Sequence, residues 1–210
     1  MYLSRVALDI KKRSTMVALA NPQQFHGAVE QAFAGERRRR LWRLDSLGDK
    51  LYLLLLSQDV PNLQHIAEQF GTEEAPATKE YTPLLERITD GTVWRFRLTA
   101  NPTKSVSNPT QPQKRGKVYA HITTEFQEKW LLERAEKNGF HLNPDNFTVV
   151  QCQWRRFQKE HKGRPISLLS VTYEGVLEVT DAEKFRQVLI EGMGRGKAYG
   201  LGLMTVMGVR

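Results

Sequence analysis

Five glycines fall between positions 192 and 202, in Gly192-Met193-Gly194-Arg195-Gly196-Lys197-Ala198-Tyr199-Gly200-Leu201-Gly202. No helix or strand runs through such a stretch, because glycine loses the most conformational freedom on entering regular structure. The chain must turn there, between a helical pattern and a last apolar strand over 201–209. Glycine also permits positive φ and lets another molecule approach the backbone closely. With Arg195 and Lys197 inside it, the loop reads as a cradle for phosphates. Gly194, Gly196, Gly200 and Gly202 are its backbone candidates. It is neither of the common nucleotide loops. A Walker A loop needs Gly where Glu191 stands and Ser or Thr where Ala198 stands. The G-x-G-x-x-G fingerprint ends on Lys197 if it starts at Gly192, and on Tyr199 if it starts at Gly194. No nucleotide cofactor is expected, nor any other cofactor.

A phosphate cradle suits the charge of the whole chain. Its 210 residues carry 31 Lys and Arg against 23 Asp and Glu, a formal charge of +8. Clustered cations favour a polyanion partner. Nucleic acid is expected rather than a membrane, since no basic amphipathic helix with an aromatic face stands out. The longest apolar run, 51–56, is far too short to span a bilayer. The five histidines are far apart and lack metal-binding spacing. Metal-independent chemistry is therefore expected. The single cysteine, Cys152, fits a reducing compartment. Residues 1–5 enter a strand pattern at once, without a signal-peptide pattern. A cytoplasmic protein is expected.

Hydrophobic periodicity gives the order of elements. A first alternating strand is followed by a basic turn, Lys11-Lys12-Arg13. Asn21 then caps a helix with Pro22 at its first position and Gln24 completing a capping box. Phe25, Ala28, Val29, Ala32 and Phe33 form its apolar stripe. Strands over 41–45 and 51–58, a helix around 63–70 and a strand over 93–99 complete the order β-α-β-β-α-β. Residues 101–116, with three prolines, read as a linker. Beyond it the order repeats: a strand at 118–122, a helix opened by Thr123 or Thr124, strands at 147–156 and 166–179, a helix from about 180, and the glycine loop before the last strand. The expected fold class is α+β, two tandem ferredoxin-like (RRM-like) domains: 1–100, the linker 101–116, and 117–210.

His26 is the sharpest catalytic candidate. It sits about 100° around the helix from Phe25, at the edge of the apolar stripe. A helix amino end favours the neutral imidazole, the form able to act as a base. A half-buried structural histidine fits the same position. Arg37, Arg38, Arg39 and Arg40, with Arg43, follow this helix. They form either a solvated loop or a phosphate-binding strip. Trp42 beside them reads as core. Between two strands, Arg155, Arg156, Lys159, Lys162 and Arg164 make a hairpin tip dense in cations. It is either an edge kept soluble by charge or an RNA contact, and RNA contact is favoured because the charge exceeds what edge protection needs. The outward Arg95 and Arg97 fit ion pairing or RNA binding equally. The basic-Gly-aromatic strand signature of RNA recognition motifs is absent.

Several stretches, in order along the chain, resemble the CasE endoribonucleases of type I-E CRISPR systems. They are Met1-Tyr2-Leu3-Ser4-Arg5-Val6, Leu19-Ala20-Asn21-Pro22 followed by His26, Leu41-Trp42-Arg43-Leu44, Phe96-Arg97-Leu98-Thr99-Ala100-Asn101-Pro102-Thr103-Lys104, Tyr173-Glu174-Gly175-Val176-Leu177-Glu178-Val179, and the glycine loop. The resemblance implies two ferredoxin-like domains and metal-independent cleavage of the repeat hairpin in CRISPR precursor RNA. It also implies residence with other subunits in the Cascade surveillance complex. His26 matches the family's catalytic histidine. Members often carry a tyrosine three residues before it, and some a lysine five residues after; here Gln23 and Gln31 stand there. The expected reaction is attack by the 2′-OH next to the scissile phosphate, leaving a 2′,3′-cyclic phosphate, with His26 moving a proton. A non-catalytic member that caps the guide RNA hairpin, and a small-ligand or protein-interaction module with incidental charge, are the alternatives.

Overall fold

In the computed structural model, which describes residues 1–35, 38–107, 116–158 and 165–209, the chain builds two main antiparallel sheets and one separate hairpin. Strand β1 (Tyr2–Leu8) leads into helices α1 (Arg13–Ala20) and α2 (Gln23–Gln31), then β2 (Leu41–Leu47), β3 (Lys50–Ser57), α3 (Gln64–Phe70), β4 (Ala77–Glu80) and α4 (Thr82–Glu86). The first sheet has the order β2-β3-β1-β4. Next come β5 (Val93–Ala100), the hairpin strands β6 (Thr103–Val106) and β7 (Lys117–Ala120), and α5 (Thr124–Ala135). The chain closes with β8 (Phe140–His141), β9 (Phe147–Gln158), β10 (Pro165–Val179), α6 (Ala182–Glu191) and β11 (Met204–Gly208). The second sheet runs β11-β5-β10-β8, with β9 also paired to β10. No described helix is long and apolar enough to cross a membrane.

The apolar run in β3 follows from burial on both faces. Leu53 and Leu55 pack with Val6, Phe25, Ile66 and Phe70 under the helices. Tyr52, Leu54 and Leu56 join Trp94, Phe96 and Leu98 of β5 in the other, larger core. The two sheets therefore share a core, and α2 rides on the outer side of the first.

Two sequence expectations are corrected. The strand at 93–99 was expected to close the first sheet. It lies instead inside the second, paired with β10 from Val93↔Glu178 to Ala100↔Val171 and with β11 at Leu98↔Met204. The fourth strand of the first sheet is β4, paired from Tyr2↔Glu80 to Arg5↔Ala77. All four of its residues are exposed, so it has no apolar alternation to read. The stretch 101–116 is accordingly not a link between the sheets: the strands before and after it, β5 and β10, are neighbours in one sheet. It contributes β6, and β7 pairs with β6 alone rather than opening the second sheet.

Helix α1 was not expected. Its buried residues are Thr15 and Ala18, while Met16 and Val17 are exposed. The apolar pattern therefore points the wrong way. Thr15 is tolerated inside because its hydroxyl donates to the Phe70 carbonyl at 3.0 Å. The helix also changes how α2 starts. The Asn21 N–H donates to Val17 O at 2.9 Å, so it is not left for Gln24 to cap. Asn21 Oδ1 accepts from the Gln23 N–H at 3.2 Å.

Candidate functional site

Helix α2 presents Gln23, His26 and Glu30 along one side, at spacings of three and four residues. They line a surface hollow of about 380 Å³ with Gly27, Phe33, Gly35 and Arg40. Arg40 Nη1 donates to Glu30 Oε2 at 3.0 Å, and its guanidinium lies 4.1 Å over the Phe33 ring. His26 is half-buried. The Gln23 Oε1 is buried and accepts no hydrogen bond among the described residues. A buried acceptor without a donor costs about 1–3 kcal/mol, so a ligand that brings a donor to this atom gains by it.

The glycine loop lies against this helix. Its short 3-10 turn, Lys197–Tyr199, packs on α2 and β2. All five glycines have positive φ. At Gly200 the need is also steric, since a Cβ there would stand 2.6 Å from the Trp42 ring. Trp42, 1% exposed, lies in turn against Phe25, with ring centroids 5.8 Å apart. The loop is thus seated on the residue that packs beside His26 in α2. Hydrogen bonds fix its two ends: Met193 N–H to Gly202 O at 2.8 Å, and Gly202 N–H to Thr99 O at 2.6 Å. Tyr199 and Gly200 donate back to Gly196 O and Lys197 O. Between these, the backbone N–H groups of Gly194, Arg195, Gly196, Lys197 and Ala198 make no hydrogen bond among the described residues. Successive free N–H groups in such a turn form an anion-binding concavity.

Cations converge on the loop. Burial, and after it the Arg39 guanidinium, pull the Lys197 ammonium below its usual pKa, against the influence of Glu191. Arg39 itself donates to the Glu191 carbonyl at 3.5 Å. Two positive groups held side by side favour an anion between them. Arg195 is exposed. The β9–β10 hairpin joins from the other side. Phe157 meets Tyr199 edge-on at 4.8 Å, and Asn21 Nδ2 donates to Gln158 O at 3.2 Å. Arg155 shares the face of Phe157 by strand alternation. It is half-buried, burial lowers its pKa, and it has no ion pair among the described residues. Arg156 is exposed. Lys159, Lys162 and Arg164 lie outside the described residues, as does Arg37.

The helix of His26, the glycine loop with Lys197, Arg39 and the hairpin strand of Arg155 therefore meet in one region. Arg38, Arg43, Arg95 and Arg97 do not join them. Arg38 pairs with Asp59 at 3.4 Å on the surface. Arg43 is buried and structural: it holds Asp45 with two bonds and donates to Arg97 O, Leu203 O and Thr205 Oγ1. Arg97 is ion-paired with Asp45 and Glu174. With Arg95 it lines a separate cleft of about 1180 Å³ between the sheets. Tyr199, Phe157 and Asn21, which tie the parts together, were not singled out as site residues. Their partners are remote in sequence, and only Tyr199's place among the glycines signalled it.

Comparison with known proteins supplies a further observation. A family model described as CRISPR associated protein matches residues 1–207. The chain is 32% identical, over 98% of its length and 99% of the relative's, to the CRISPR-associated endoribonuclease Cse3 of Thermus thermophilus. A structure of CRISPR endoribonuclease Cse3 bound to a 19-nucleotide RNA superposes with a TM-score of 0.81 at 28% identity, covering 98% of each chain. A chain of a CRISPR RNA-guided surveillance complex, 22% identical over the full length of both, shares the fold with a TM-score of 0.71.

Proposed function

The chain belongs to the CRISPR associated protein family, and on that premise we propose that it is an endoribonuclease cutting the repeat hairpin of CRISPR precursor RNA. The observation that carries the reading is the packing of the turn Lys197–Tyr199 against the helix that bears His26, in a loop where five successive backbone N–H groups make no hydrogen bond among the described residues and where Arg39 stands near Lys197. The substrate supplies the nucleophile. The ribose 2′-OH attacks the adjacent phosphorus in line, the P–O5′ bond breaks, and a 2′,3′-cyclic phosphate and a 5′-hydroxyl result. His26 moves a proton at one end of this exchange, the work for which positioned imidazoles are suited. The glycine-loop N–H groups and Lys197 hold the phosphate oxygens as charge develops on them. Gln23 has no proton to give or take near neutral pH. Its buried Oε1 suits a ribose hydroxyl, since phosphate oxygens have no donor to offer. Arg155, Arg156 and the hairpin tip beyond them grip the stem through its phosphates.

The product guide RNA stays bound, and the protein is a subunit of the surveillance assembly. The architecture supports two ferredoxin-like units. The first is β1, the helices α1 and α2, β2, β3, α3 and β4. The second is β5, α5, β9, β10, α6 and β11. Both have the spatial order fourth-first-third-second, β4-β1-β3-β2 and β11-β5-β10-β9. The boundary then falls between Glu86 and Val93, and 101–116 is an insertion inside the second unit. Gln23 and Gln31, neither able to titrate, favour one second reading: a member that binds the hairpin without cutting it.

Incubation with the repeat RNA in excess EDTA separates these readings. Cleavage to a cyclic-phosphate end, unchanged by the chelator, is expected. Tight binding without a cut would support the capping reading. Loss of cleavage in EDTA, restored by a divalent ion, would overturn the metal-free mechanism.

A further inference from the structure

On the far side of the glycine loop from His26 lies a surface that the reading above does not use. A Cβ at Gly194 would stand 3.3 Å from the Trp130 ring, so α5 borders the loop. One helical turn before Trp130 is Phe126, 49% exposed although it is a large apolar side chain. Its ring lies 5.9 Å from that of His121, at 32°. Ile122 beside them is 70% exposed, and Tyr119, directly opposite Lys104 in the β6–β7 hairpin, is 48% exposed. The patch is held in place: Gln127 Nε2 donates to His121 O and Ile122 O, both at 3.0 Å, and the His121 N–H donates to Pro102 O at 3.0 Å.

Charged side chains of both signs border the patch, Lys104 opposite Tyr119 and Arg134 among the cations and Glu133 among the carboxylates. Burial, then Lys104 and Arg134, hold the His121 imidazole below its usual pKa, outweighing Glu133. Arg134 lies 4.3 Å over the Trp130 ring and so links the patch back toward the loop. Exposed flat rings with Lys104 and Arg134 near them, beside a phosphate cradle, are what unpaired bases and their backbone recognise. A duplex stem does not need them, since its bases are already stacked.

We infer that Tyr119, His121 and Phe126 form a stacking platform for the single-stranded RNA that flanks the hairpin, entered directly from the glycine loop. The inference rests on the proposed RNA-cleaving function of that loop. The platform adds affinity for flanked substrates with little regard to base identity, because every base has a face to stack. Lys104 and Arg134 add attraction for the backbone.

The test is equilibrium binding of repeat hairpins made uncleavable by a 2′-deoxy sugar at the scissile position, either blunt, with a single-stranded flank, or with an abasic flank. Wild-type protein is expected to bind the flanked hairpin roughly ten-fold or more tightly than the other two, the scale of one or two stacked bases. Phe126→Ala is expected to lose that gain, Phe126→Trp to keep it. Affinity for the blunt hairpin should be unchanged in both, as should the cleavage rate of the all-ribose repeat measured in parallel. A wild type that binds the hairpin but gains nothing from a flank overturns the platform alone and leaves the patch to a protein partner. An equal gain from the abasic flank, or a gain kept in Phe126→Ala, also overturns it. A wild type indifferent to the hairpin removes the underlying reading as well.

Discussion

The His26→Ala protein is expected to bind repeat RNA normally and to cut it about two to four orders of magnitude more slowly, the range of a positioned proton transfer. The two halves of this result have separate causes. Binding comes from many phosphate contacts, to which one half-buried imidazole on α2 adds little. The rate comes from a single proton moved at a fixed place. Single-turnover cleavage with saturating protein reads the chemical step, and a filter or anisotropy titration reads affinity. Full-rate cleavage by His26→Ala would move the catalytic role to another residue and leave His26 as a structural side chain.

The second large effect concerns the joint between the sheets. Arg43 on β2 is 1% exposed and Asp45 3% exposed. The guanidinium reaches from the first sheet to the Arg97 carbonyl on β5 and to Leu203 O and Thr205 Oγ1 at the start of β11. Removing it leaves the buried Asp45 carboxylate with Arg97 as its one remaining cation among the described residues, and takes the guanidinium donor from the Arg97 and Leu203 carbonyls. Arg43→Met is expected to cost about 3–5 kcal/mol, as for other buried pairs broken at one partner. For a chain of this size that is a fall in Tm of roughly 6 to 20 °C. Calorimetry or denaturant unfolding measures it. A loss below about 1 kcal/mol, the worth of a surface pair, would mean that the clamp does not hold the sheets together.

Arg43 also illustrates how far the sequence could be read. It follows a run of arginines in the sequence, and nothing local separates this buried guanidinium from the exposed Arg38 and Arg39. The distinction is made by Asp45 two residues on and by carbonyls 54 and 160 residues away. The helix of His26 was legible because its apolar stripe repeats at helical spacing. Its neighbour α1 was not, since a buried threonine and an exposed Met16 and Val17 invert the pattern. The strand β5 was found, but it was given to the wrong sheet. Alternation shows that a strand has an inward face without showing which sheet it joins. The exposed β4, which takes the place expected for β5, has no alternation to show. The glycine loop was legible as a turn with positive φ. That Gly200 serves the close approach of Trp42 was not, because Trp42 is 158 residues away and only packing brings them together.

The central claim is that the substrate attacks itself, with the protein supplying position, charge and a proton carrier. Replacing the single ribose at the scissile position by 2′-deoxyribose tests it most directly. Only the proposed nucleophile is removed, and every phosphate that the glycine loop and hairpin would hold is left in place. The account predicts that this RNA binds with nearly the affinity of the all-ribose repeat and is not cut at that bond, even over long incubation with excess protein. Cleavage of the 2′-deoxy substrate at the same bond, leaving a 3′-phosphate end and a 5′-hydroxyl, would contradict it, because water would then be the nucleophile.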